Sequence, residues 1–132
     1  FVWLGNKEPL KLLHSELIKN KLIANIDFEI FEKGFSGIAT KTPLNIPWTD
    51  ITKKKLTSKI SLHYLLDKLH PKFIEFPYVF GYTAFSNVFC DKDYKTFVGI
   101  KQSMSNYNNL GLKGNIIKDT IDTIIDKIEN LP

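Results

Sequence analysis

Leu10-Lys11-Leu12-Leu13-His14-Ser15-Glu16-Leu17 and, 52 positions further on, Leu62-His63-Tyr64-Leu65-Leu66-Asp67-Lys68-Leu69 carry the strongest structural signal in this chain. In both, leucines return at three- and four-residue spacing, which gathers them along one side of an α-helix. Leu10, Leu13 and Leu17, with Leu12 beside them, make the first stripe, and Lys11, Ser15 and Lys19 fall away from it. Leu62, Leu65, Leu66 and Leu69 make the second. Asn6 reads as an N-cap with Pro9 in the first turn, so the first helix is predicted over about residues 7–20. The second is predicted over Ser58 to Leu69 and is stopped by Pro71.

Outward from these helices the chain repeats a texture. Phe1-Val2-Trp3-Leu4 is a short apolar run closed by Gly5 and suits a short strand. Trp48 heads a similar passage before the second leucine helix. Asp27 is a plausible cap for a short helix bearing Phe31 and Phe35, ended by Gly34 and Gly37, and Phe85 and Phe89 repeat that four-residue spacing. Residues 38–47 read as a loop with Pro43 and Pro47. Asp91 is expected to cap a helix over about 92–104, and Ser103 to Gly114 to form an Asn- and Gly-bearing loop. A last helix over 116–129 is expected after Asn115. It has Ile117, Ile121, Ile124 and Ile128 on one face and Asp119, Asp122 and Asp126 on the other.

The fold class expected is therefore mainly α. The chain should form one compact helical domain over 1–132, with short strands at Trp3 and Trp48. An internal duplication of 1–37 and 46–90, followed by C-terminal helices over 91–130, fits the pattern, and strand–helix–helix repeated twice would suit a winged-helix-like arrangement. The alternative is that amphipathic helices resemble one another without common descent. Because residue 1 is Phe1 and not Met, the chain reads as a fragment or a processed product, the C-terminal part of a longer chain being one such case.

With 132 residues, 43% hydrophobic and 24% charged, the composition is that of one ordinary globular domain. Ten phenylalanines should supply much of its core. Cys90 is the single cysteine, which rules out an internal disulfide and makes cytoplasm the expected compartment. No apolar run approaches the roughly 20 residues of a membrane span, and no membrane partner is expected. Cys90 follows Phe89 and precedes Asp91, a setting for a small buried hydrophobe rather than a nucleophile.

No motif announces chemistry. The histidines are His14, His63 and His70, without the spacing of a zinc site. Gly111-Leu112-Lys113-Gly114 lacks the length and Ser/Thr of a phosphate loop. No catalytic residue, metal or cofactor is expected, and the domain reads as non-enzymatic. The net charge is +4 and all 18 basic residues are Lys. Lysine attracts polyanions but lacks the planar fork of Arg. Lys53, Lys54, Lys55 and Lys59 are the sharpest charge feature, candidates for phosphate contacts at a lysine-rich helix start, with a solvated loop as the alternative. Tyr78, Phe80 and Tyr82 alternate and could stack on bases, meet a partner protein or belong to the core.

Val2-Trp3-Leu4-Gly5-Asn6-Lys7 followed by Leu10 to Leu17, and the segment Phe89-Cys90-Asp91-Lys92-Asp93-Tyr94-Lys95-Thr96-Phe97-Val98-Gly99-Ile100-Lys101, together resemble the RteC-like family of Bacteroidetes mobile elements. The resemblance touches about half the chain and includes the final Ile-rich helix. It implies a regulatory role linked to transfer of mobile DNA. The basic Arg positions expected after Ile100 are missing, since Lys101 is followed by Gln102 and Ser103. Two functions are carried forward: an accessory or regulatory nucleic-acid-associated domain touching DNA through Lys53, Lys54, Lys55 and Lys59, and a protein–protein interaction module using an aromatic surface.

Overall fold

The computed structural model describes residues 1–37, 42–52, 54–76, 83–110 and 116–131. The elements in chain order are β1 (Val2–Trp3), α1 (Glu8–Lys19), α2 (Phe28–Gly34), β2 (Ile46–Pro47), α3 (Lys59–Leu69), β3 (Ile74–Glu75), α4 (Thr83–Val88), β4 (Phe89–Cys90), α5 (Ile100–Leu110) and α6 (Ile116–Glu129). The protein is mainly α-helical, with short strands in the Trp3 and Trp48 regions. Among the described residues no helix is long and apolar enough to cross a membrane.

The helix ends follow local chemistry. The N-cap position of α1 falls on Lys7, one residue after the expected Asn6, and has no side-chain cap bond; Asn6 instead accepts the Glu8 amide at 3.0 Å from just outside the helix. At the other end Lys21 stands at φ 60°. The Leu22 amide donates to the Leu17 carbonyl (2.9 Å) and the Lys21 amide to that of Ile18 (3.0 Å). This is the paired closure usually built with glycine in the left-handed position, here made with lysine. Ser58 caps α3 by accepting the Ser61 amide.

α3 is the central element. It packs against α5 and α6, while α1 packs against α6 and α2. Leu10, Leu13 and Leu17 of α1 are buried, and Leu62, Leu65, Leu66 and Leu69 of α3 likewise. On α6, Ile121, Ile124, Ile125 and Ile128 point into the same core. Packed edges and faces of rings join the elements: Phe1 lies between Phe35, Phe85 and Phe89 at centroid distances of 5.8, 5.9 and 6.5 Å. Phe31 and Phe35 come from α2 and its C-cap. The second pair straddles a helix and a strand, Phe85 in α4 and Phe89 in β4. Where α2 meets α4, a Cβ on Gly34 would lie 2.7 Å from Val88 Cγ1, so only glycine allows that approach.

The strands clip the helices together. β1 pairs antiparallel with β3 (Val2 with Glu75, Trp3 with Ile74), and β2 pairs parallel with β4 (Ile46 with Phe89, Pro47 with Cys90). Each is two residues long on a two-stranded sheet, so the sheets serve as clamps rather than as a layer.

One expected helix is displaced. Residues 92–99 are not helical, and α5 starts only at Ile100 and runs through most of the stretch expected to be a loop. Asp91 does cap, but it caps a turn: its Oδ1 accepts the amides of Asp93 (2.8 Å) and Lys95 (3.0 Å). Tyr94 at φ 64° bends the chain back so that the Asp91 amide reaches the Lys95 carbonyl. Gly99 at φ 70° then redirects it into α5. The Asn-rich helix holds through tertiary bonds, Ser103 to His63 and the Tyr107 hydroxyl to Asp67 (2.8 Å), which outweigh its poor intrinsic propensity.

Candidate functional site

Asp50 to Ser58 shape one end of the molecule. Ile51 bridges Thr57, and the Thr52 amide donates to the Leu56 carbonyl at 2.7 Å, so the segment doubles back as a small hairpin. Lys54 and Lys55 lie in its turn, both exposed, with Lys55 at φ 62°. The left-handed residue lets a short loop join two twisted arms. Lys54 and Lys55 thus sit in a hairpin that precedes the start of α3. Lys59 opens α3, and its ammonium donates to the Val98 carbonyl at 2.6 Å, bracing the 91–99 segment against the helix. Lys53, Tyr78, Phe80 and Tyr82 lie outside the described residues.

The base of the hairpin is anchored in the core. Trp48 is wholly buried, and its indole N–H donates to Ser61 Oγ at 2.9 Å. Ser61 in turn donates to Asp50 Oδ2 at 2.7 Å, and the Asp50 carbonyl accepts the Ser58 amide at 2.8 Å. Burial raises the Asp50 carboxyl above its ordinary value, partly offset by these hydroxyl donors. The 91–95 turn is tied to the hairpin by the Lys92 amide, which donates to Thr57 Oγ1 at 2.9 Å.

Between hairpin, α3 and the 91–99 segment runs a groove of about 400 Å³. Leu56 and Val98 stand on its walls with 63% and 78% of their surface in water, while Phe97 is buried beneath. Ile51, 48% exposed, extends the apolar surface of the hairpin. Lys59 and Lys92 line the groove, together with Asp91 and Asp93. Lys92 pairs with Asp93 at 3.2 Å. Leu56 and Val98 were not singled out by the sequence pattern. The signal that could have found Leu56 is its register, since it continues no helical stripe and directly follows three lysines.

Ser103 forms part of the groove floor and stands 2.9 Å from Nε2 of buried His63. The Ser103 hydroxyl proton is committed to the Ile100 carbonyl at 3.0 Å, so His63 donates its Nε2 hydrogen to the serine. A general base would have to accept that proton rather than offer one. Burial, then the nearby Lys59 charge, lowers the His63 pKa to about 4, which keeps the ring neutral at neutral pH. The pair therefore holds α3 to α5.

The remaining reactive side chains are similarly engaged. His14 lies 2.8 Å from the Ile26 carbonyl, and His70 stacks on Phe76 at 4.6 Å. Cys90 is buried, and burial followed by the adjacent Asp91 pushes its thiol up to about 11, so it packs as a small hydrophobe. Among the described residues no group of His, Cys, Asp or Glu is placed to hold a metal ion. Comparison of the chain with family models, with curated proteins and with solved structures returned no match.

Proposed function

We propose that this chain is a non-catalytic interaction domain that seats a segment of a partner protein in the groove between the 51–57 hairpin, the start of α3 and the 91–99 segment. One observation carries the reading: two aliphatic side chains, Leu56 and Val98, are held in water on the walls of the same groove. Covering each would contribute on the order of 1 kcal/mol from apolar area alone, enough for a transient contact. The turns that present them are braced by the Thr57–Lys92 and Lys59–Val98 bonds, so the surface is preformed. This surface is a second candidate beside the aromatic Tyr78–Tyr82 segment, which lies outside the described residues.

The lysines by themselves would equally serve a nucleic acid, as the resemblance to a mobile-element family implies. A nucleic-acid backbone would engage Lys54 and Lys55 but leave Leu56 and Val98 uncovered, and no Arg is present to fork a phosphate. Selection of peptides from a random display library against the intact chain, with the Val98→Asp chain as a parallel bait, tests the proposal. A peptide family enriched on the first and lost on the second is expected. Equal enrichment on both would overturn it. So would a salt-sensitive shift of duplex DNA abolished by Lys54→Glu with Lys55→Glu, which would install the nucleic-acid reading instead.

A further inference from the structure

The groove has apolar walls, Lys59 and Lys92 balance Asp91 and Asp93 in its lining, and Lys54, Lys55 and Lys95 stand exposed in the segments that border it. Among the described residues of segments 50–59 and 91–98, Lys54, Lys55, Lys59, Lys92 and Lys95 outnumber Asp50, Asp91 and Asp93. The three carboxylates are already occupied. Asp50 accepts from Ser61, Asp91 accepts two backbone amides, and Asp93 pairs with Lys92. Lys54, Lys55 and Lys95 are exposed and make no ion pair among the described residues. Lys59 spends one hydrogen on the Val98 carbonyl and keeps its charge.

We infer that the occupant of this groove is an acidic peptide segment carrying a branched aliphatic side chain between its carboxylates, an inference that rests on the protein-interaction reading above. The aliphatic side chain covers Leu56 and Val98, and the flanking carboxylates meet Lys54, Lys55 and Lys95. Because Lys59 holds the Val98 carbonyl, that position is closed to strand pairing. The proposed recognition runs through side chains, at Leu56, Val98 and the exposed lysines. Lysine suits such recognition because a mobile point charge sets sign and encounter rate without demanding the fixed geometry of an Arg fork.

The test uses two synthetic peptides, one with a leucine between runs of glutamate and one with the same leucine between runs of lysine. Binding to the intact chain is followed by fluorescence anisotropy at about 50 mM and about 500 mM salt. The acidic peptide is expected to bind at least about tenfold more tightly at low salt and to lose that advantage at high salt. Lys54→Glu with Lys55→Glu should reverse the order of the two peptides, and Val98→Asp should abolish binding of both, with circular dichroism confirming that each variant folds. Equal binding of both peptides, lost in Val98→Asp, would overturn the acidic inference and leave the groove reading standing. Acidic-peptide binding undiminished in Val98→Asp would place the charge effect outside the groove and overturn the inference. Binding of neither, with no family enriched in the display selection, would remove both.

Discussion

The two leucine helices, α1 and α3, look alike in sequence but do different work. On α1 the buried positions are Leu10, Leu13, Glu16 and Leu17, and Lys11 and Ser15 face water. On α3 every residue from Ser61 to Leu66 is buried, because α5 and α6 close on it and Trp48 reaches it through Ser61. The histidines follow suit. His14 is half-buried and lies within hydrogen-bonding distance of a carbonyl, whereas His63 is buried between Phe85 and Ser103. The lesson is that a leucine stripe shows which side must be covered, while the number of neighbours decides whether the other side is covered too.

That contrast can be broken at its strongest point. Leu65→Asp places a carboxylate with no cation partner in the centre of the core and is expected to unfold the domain, a loss of more than about 4 kcal/mol, seen as loss of the helical circular dichroism signal. Next in size is a pH effect. His63 has a folded pKa near 4 against 6.5 for the free side chain, so the unfolded chain takes up the proton first. Its neutral burial is fully compatible with the fold above 6.5, and stability should fall by roughly 2–3 kcal/mol as pH drops from there toward 4. Urea midpoints measured across that window should decline in the parent chain and decline less in His63→Gln. Glu16 follows the same direction at lower pH. The Lys127 hydrogen bond holds its carboxyl below the ordinary value, so its contribution is present above that value and is lost on further acidification.

Smaller changes sharpen the comparison. Ser61→Ala leaves the buried Trp48 indole without its acceptor and removes a donor from Asp50, and should cost about 2 kcal/mol by chemical denaturation. Ser15→Ala on the open face of α1 should stay within about 0.5 kcal/mol. Val98→Asp should also stay within about 0.5 kcal/mol, since the side chain is mostly in water, and this separates the groove from the core as a place where stability and binding come apart. A large loss of stability in Val98→Asp would mean that the groove is structural.

Much of the helical framework was legible from periodicity. α1, α3 and α6 begin and end within a residue or two of the expected bounds, because the Ser58 cap, Pro9 in the first turn of α1 and regular leucine and isoleucine spacing are local signals. The 91–110 region was not. Asp91 bears the same capping oxygen whether it starts a helix or a turn, and the choice fell to the left-handed Tyr94 and Gly99. The candidate groove was half visible. Lys54, Lys55 and Lys59 stood out as charge, while Leu56 and Val98, 42 positions apart, carried no shared pattern.

Sequence alone determined that the chain is mainly helical, where its oily faces lie, that it has no internal disulfide and that its positive charge comes from lysine. Those properties follow from the residues and their nearest neighbours along the chain. Tertiary structure decided that α3 is surrounded, that His63 is neutral and donates to Ser103, and that Leu56 and Val98 line one groove. These depend on burial and on contacts between distant segments, which backbone spacing does not encode.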